Sequence, residues 1–300
     1  MNRRNPLLAG VIALVLGAAG QIHAAGPAPA KSIALGFVSE KPPAEVEAHF
    51  QDFMRYLGQK LAVEARVVAA PTVSQLTKLL DEKKVDFYMD SPYPTYLVNR
   101  QGAARLLLRR WKSGMAEYHS ILFAKKDGRV SGFADLKGKI VAFEDPGSTS
   151  AYFLPKVFLL KKGLQLKEKA APESKPPPGE IGYIFTYSTA KTVDLVLSDK
   201  AAAGAFSNDD HDRLDEKAKT QIVKLGETES VPRSLVSTRK DLDPGMAQRL
   251  KETLLAMPND EEGKKILART DGTTKFDTLP GGEEAMRRRL VELFRPRGKN

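Results

Sequence analysis

Three hundred residues, 42% apolar and 28% charged, are enough for one large or two medium domains and exclude an intrinsically disordered chain. There are 47 lysines and arginines against 37 acids, a formal net charge of +10, and no cysteine. Disulfides, thiolate metal sites, a cysteine nucleophile and an N-terminal lipoprotein cysteine are thereby excluded.

The chain opens on a segment that reads as a cleaved export signal over 1–25: Arg3 and Arg4, an apolar run over 7–19, then small residues over 24–30. Its apolar core of about 13 residues falls short of the roughly 20 that span a bilayer. A periplasmic product without a lipid anchor is expected. From 32–38 (SIALGFV) a glycine-containing apolar run predicts a strand. Val46, Phe50, Phe53, Met54, Leu57 and Leu61 recur at helical spacing and predict a helix over 44–61. A strand at 65–69, a helix at 73–80, a strand at 86–89 ending in the turn-rich Asp90-Ser91-Pro92-Tyr93-Pro94, and a strand at 106–111 follow. This β-α-β-α-β order predicts a parallel sheet covered by helices.

The same order then recurs. Strands are predicted at 118–125, 139–143, 181–187, 201–206, 222–225 and 234–237, with a helix running from the 148–150 turn through Lys162 and another at 191–197. After 237 only helices are expected, at 244–257, 260–269 and 283–294. The proline-rich 171–179 interrupts no pattern and reads as a surface loop. Two α/β lobes result: 31–115 with 235–300, and 116–234. The chain crosses between them twice, near 115–120 and 231–235, forming a hinge with a ligand cleft between the lobes.

The basic residues are scattered. The densest cluster, Arg287, Arg288, Arg289, Arg295, Arg297 and Lys299, lies on or after a predicted helix whose other face carries Met286, Leu290, Val291 and Phe294. It reads as a solvated face, and no nucleic-acid module is present.

The sharpest local signal is 139–155, KIVAFEDPGSTSAYFLP. A strand ends, Asp145-Pro146-Gly147 turns the chain, and Ser148, Thr149 and Ser150 stand at a helix start. Amides there lack intrahelical partners and the helix dipole is positive, so three hydroxyls beside them form an oxyanion receptor. A single serine would equally serve as a plain cap. Thr149 is placed outside the core.

This stretch resembles the signature of the phosphate/phosphite/phosphonate periplasmic binding proteins of ABC transporters, the phosphonate-binding family. Tyr118-His119-Ser120-Ile121-Leu122, Asp135-Leu136-Lys137-Gly138-Lys139, the segment 86–92 and the helices over 239–255 and 260–267 match it in order, so the likeness covers most of 32–270. It implies a type II periplasmic-binding fold and a monomeric receptor, not an enzyme, that hands a small oxyanion to an ABC permease without a cofactor or metal. Carried over, Ser148, Thr149 and Ser150 hold the anion. Ser91 and Tyr93 bring a strand end of the first lobe to the cleft, Tyr118 and His119 lie at the crossing, and Ser39 with Glu40 follows the first strand. Ser188-Thr189 stands where the family usually carries Ser-His, Asp90 is an unusual acid beside the small-Pro step, and Asp209 or Asp210 is suited to an amine. The anionic end of the ligand is therefore expected to be kept while its other end differs.

Three rivals remain at this level. The same fold serves as a sensor lobe reporting to a membrane protein. Tyr88, Tyr93, Tyr96, Tyr183 and Tyr187 are candidate ferric-iron ligands. Ser188 and Lys191 match a Ser-x-x-Lys pair, but the Lys-Thr-Gly and Ser-Asp-Asn elements of penicillin-binding enzymes are missing.

Overall fold

The computed structural model describes residues 32–294. The signal assigned to 1–25 and the basic residues Arg295, Arg297 and Lys299 lie outside the described residues.

The first lobe starts with β1 (Ser32–Val38) and α1 (Pro43–Leu61). Pro43 opens α1, where a missing N–H costs nothing, and Ala62 ends it in the left-handed conformation. Val46, Phe50, Phe53, Met54, Leu57 and Leu61 are buried, as their spacing requires. β2 (Glu64–Ala70), α2 (Val73–Asp81) and β3 (Phe87–Asp90) follow. The stretch expected to be a turn after Asp90 is instead α3 (Pro92–Arg100), with Ser91 at its N-cap position. Both prolines fall in the first turn, which has no intrahelical N–H to lose, so they permit the helix. β4 (Ala104–Lys112) closes the lobe's first passage.

The chain then crosses. The single strand expected at 118–125 is two: β5 (Glu117–Tyr118) and β6 (Ser120–Lys125), broken at His119. They part because β6 pairs within the second lobe while β5 belongs to the hinge. The second lobe continues through β7 (Ile140–Phe143), α4 (Leu154–Lys161), β8 (Gln165–Glu168), β9 (Glu180–Phe185), α5 (Thr189–Leu197) and β10 (Ala203–Ser207). It ends with α6 (Asn208–Arg213), α7 (Glu216–Gln221) and β11 (Ile222–Glu227). The return crossing is β12 (Val231–Pro232), which pairs antiparallel with β5, Val231 opposite Tyr118. β13 (Ser234–Arg239), α8 (Pro244–Ala256), α9 (Glu261–Arg269), β14 (Thr273–Asp277) and α10 (Gly282–Phe294) complete the first lobe. β14 corrects the expectation that only helices follow residue 237. Its TTKFD sequence is too short and too polar to signal a strand, and pairing with β4 makes it one.

The first sheet runs β14-β4-β13-β3-β1-β2 and the second β11-β6-β10-β7-β9-β8. Neither is purely parallel, as the β-α-β reading expected. β1 is parallel to β2 and β3, but β13 is antiparallel to β3 and β4. Likewise β10, β7, β9 and β8 are parallel, while β6 is antiparallel to β10 and β11. Of the reversed strands β6, β13 and β14, the first two enter a lobe directly from the hinge. One face of the first sheet buries Phe50, Phe53, Phe87, Leu250 and Leu254 against α1, α8 and α9. The second sheet is buried on both faces, around Phe143, Leu159 and Tyr183 on one and Phe123, Val193 and Phe206 on the other. Residues 171–179 form the loop between β8 and β9. The C-terminal ends of β1 and β3 in one lobe and of β7, β9 and β10 in the other provide the loops of the site, the edge where α/β sheets bind ligands.

Candidate functional site

β7 leaves its sheet at Phe143, and the chain turns through Asp145-Pro146-Gly147. Ser148 caps the following helical run, its Oγ accepting the Ala151 N–H at 3.0 Å. Thr149–Phe153 winds as a wide π-type turn, closed by the Phe153 N–H on the Ser148 carbonyl at 3.0 Å, before tightening into α4. The amides of Thr149 and Ser150 stand at the start of this run without intrahelical acceptors, at the positive end of its dipole.

Thr149 is 1% exposed, against the expectation that it lies outside the core. Its burial is by the other lobe. Thr149 Oγ1 donates to Ser91 Oγ at 3.0 Å and accepts the Tyr93 N–H at 2.9 Å. The Tyr93 ring stacks on Phe153 at 3.9 Å. The start of α3 and the hydroxyl turn therefore meet, with Ser91 and Tyr93 from one lobe and Thr149 from the other.

Tyr118 is buried beside this contact, and burial pushes its hydroxyl pKa up while the nearby Arg233 and the Thr149 and Ser150 hydroxyls oppose the shift. The Arg233 guanidinium lies over the Tyr118 ring at 4.5 Å, donates to Asp209 Oδ2 at 3.1 Å, and keeps a buried Nε with no hydrogen-bond acceptor among the described residues. Asp209 is 5% exposed and is also held by Arg213 at 3.0 Å, so its carboxylate is spent on two guanidiniums. Asp210 is engaged in capping α6, with Ser207 Oγ donating to it at 2.6 Å.

The remaining expected residues stand further out. Ser39 sits just past β1, its N–H on the Ala70 carbonyl at 2.9 Å and its Oγ accepting the Lys41 N–H, with Glu40 exposed beside it. Ser188 caps α5 through the Lys191 N–H. Its neighbour Thr189 donates to Glu144 Oε1 at 2.9 Å, tying the β9 exit to the β7 exit. His119 is not brought to the Thr149–Ser91 contact: its N–H is on Asn208 Oδ1 at 3.0 Å and its Nε2 lies 3.5 Å from Glu227. The tyrosines weighed as iron ligands do not converge either. Tyr88 bonds Asn99 inside the first lobe, and Tyr183 lies under Lys156 in the second. Among the described residues no group of three or more His, Asp or Glu is placed to hold a metal.

The sequence reading singled out Asp90 but missed the cations near it on β4. Burial pushes the Asp90 carboxyl up to about 6, although it accepts the Ser91 N–H at 2.6 Å and feels the charges of Lys112 and Arg110. Arg110 is 2% exposed and donates to Thr273 Oγ1 at 2.8 Å and Asp271 at 3.2 Å. Lys112 donates to the same Asp271 oxygen at 2.7 Å. Asp271 follows α9 and precedes β14, the unexpected strand, so nothing local announced that these cations would be joined there.

Two mixed α/β lobes on a double crossing, with a hydroxyl-rich turn of one meeting a helix start of the other, define a type II periplasmic-binding fold. The chain belongs to the family of ABC transporter, phosphonate, periplasmic substrate-binding proteins, which it matches over residues 35–279. It is similar to XAC2383 from Xanthomonas citri, solved bound to ATP, with 27% identity and a TM-score of 0.79 over 87% of this chain and 95% of that one. PhnD1 from Prochlorococcus marinus, solved with methylphosphonate, shares the fold at 19% identity and a TM-score of 0.65 over 88% of this chain and 97% of that one. The phosphate-import protein PhnD of Mycolicibacterium smegmatis is 23% identical over 138 residues, 45% of this chain and 43% of that protein, less than half of its length. Among the described residues no helix is long and apolar enough to cross a membrane.

Proposed function

We propose that the protein is an exported, monomeric receptor that captures a small phosphorus oxyanion or its ester between its lobes and delivers it to an ABC permease. The lobes divide at 31–115 with 235–300 against 116–234, joined by the paired crossings. The observation that carries the reading is the meeting of the Ser148–Ser150 turn with Ser91 and Tyr93: polar groups of both lobes converge where helix-start amides are free. Tyr118 adds a hydroxyl and Arg233 a cation, so the anion is met by donors and one positive charge. Family membership supports the class of ligand, and the solution of XAC2383 with ATP supports extending it from bare phosphonate to phosphate esters. Asp209 serves this site by holding Arg233, not by meeting an amine.

The test is a calorimetric titration with phosphate, phosphite and methylphosphonate, beside thermal shift. A ligand at 100 times its Kd adds about 2.7 kcal/mol of stability. Flat titrations across that panel, with a clear response to ferric iron or an amino acid, overturn the proposal.

A further inference from the structure

Between β9 and α5 the chain makes a turn of Thr186, Tyr187 and Ser188. It is stitched to the β7 exit: Thr186 N–H donates to the Phe143 carbonyl at 2.9 Å and Tyr187 N–H to the Glu144 carbonyl at 2.7 Å. Tyr187 takes φ +57° to make this turn. Glycine adopts that conformation freely; a bulky aromatic side chain does not, and such outliers persist where the side chain is used. The sequence expected strand there, so the strain is not visible from composition.

The side chain is also out of place by burial. Tyr187 is 68% exposed, well beyond Leu160 at 42% and Val223 at 41%, the other exposed large apolar residues among those described. Its hydroxyl takes no hydrogen-bond partner among the described residues. Its ring is the last of a row that begins at the lobe contact: Tyr93 on Phe153 at 3.9 Å, Phe153 to Tyr152 at 6.5 Å, Tyr152 to Phe185 at 4.8 Å, and Phe185 to Tyr187 at 6.3 Å. The Tyr187 N–H on the Glu144 carbonyl puts the backbone of this turn beside the β7 exit, on the same sheet edge as the hydroxyl turn, with the uncovered ring at the end of the row.

We propose that Tyr187 is a specificity-determining residue that stacks on an aromatic ring of the ligand, so that the cargo is an aromatic phosphate ester, such as a nucleoside monophosphate, rather than a bare oxyanion. The inference rests on the anion reading of Ser148–Ser150. The phosphoryl group takes the amides there and the hydroxyls of Ser148 and Ser150, since the Thr149 O–H is donated to Ser91, and the ring lies over Tyr187. Stacking of this kind contributes by aromatic area and tolerates different rings, which fits a ring that is 68% exposed.

The test titrates inorganic phosphate, phenyl phosphate and AMP into the wild type, Tyr187→Gly and Tyr187→Phe by calorimetry. The wild type is expected to bind the two aromatic esters about tenfold more tightly than phosphate. Tyr187→Gly brings that ratio close to one and raises the ligand-free Tm, because glycine relieves the backbone; Tyr187→Phe keeps the ratio. An undiminished ratio in Tyr187→Gly, or no preference in the wild type that binds phosphate, overturns the role of Tyr187 and leaves the anion reading standing. A wild type that binds none of the three overturns both.

Discussion

Thr149 is the residue at which the two lobes are joined by a single hydroxyl. Thr149→Ala removes the donor to Ser91 and leaves the Tyr93 N–H without its acceptor, which at a buried position costs about 1–3 kcal/mol. The ligand-free Tm should fall by several degrees, and phosphate affinity should drop roughly tenfold or more. Ser150→Ala, which breaks no bond between the lobes, should lose affinity with little change in Tm. Unchanged affinity in both variants places the anion elsewhere. Asp90 supplies a pH dependence. Its carboxyl is raised to about 6 by burial, so the folded state favours the protonated form. That contribution to stability is present below the ordinary carboxylate pKa and is lost as pH rises through about 6. Asp90→Asn should therefore raise the Tm at pH 7.5 and leave it nearly unchanged at pH 4. An anion bound beside Asp90 favours its protonated form too, so phosphate binding should strengthen as pH falls from 7.5 towards 5.5 in the wild type and lose most of that trend in Asp90→Asn.

The elements were legible where side chains repeat. The face of α1 that buries Phe50, Phe53 and Leu57, and the strand–turn–helix of β7, the 145–150 turn and α4, follow from spacing and turn chemistry alone. Elements made by tertiary contact were not legible. β14 is a polar strand that exists because β4 offers it an edge, and α3 hid behind prolines that its first turn accommodates. Of the candidate site, the hydroxyl turn and the meeting of Ser91 and Tyr93 with it lay within the residues singled out; Arg233 did not, because its significance comes from lying over Tyr118 across the paired crossings. Gly263 shows the same limit. A glycine inside a helix is ordinarily improved by alanine. Here a Cβ would lie 2.2 Å from the Met257 carbonyl oxygen, so α9 can pack as it does only without one. Gly263→Ala should lower the Tm by several degrees, consistent with an overpacking cost of about 1–3 kcal/mol. A rise in Tm on thermal melting would refute this close approach.

At the level of the whole molecule, the two-lobe plan was readable because each lobe repeats the same alternation of strand and helix, while the mixed direction of the sheets was not, since pairing direction depends on where the hinge strands enter. The double crossing predicts that the lobes move as bodies. A saturating ligand should change the radius of gyration in solution scattering with little change in far-UV dichroism. Export is a separate prediction: protein recovered from the periplasm should begin within residues 25–31, as read by N-terminal sequencing. Product that retains Met1, or that sediments with membranes, contradicts it.

The bond from Thr149 to Ser91 has a further meaning for a receptor that feeds an importer. Both its partners are protein hydroxyls, one on each lobe, so it favours shut molecules whether or not they are loaded. Shut but vacant molecules compete with loaded ones for the transporter, and an importer that sensed the angle between the lobes alone would run futile cycles on them.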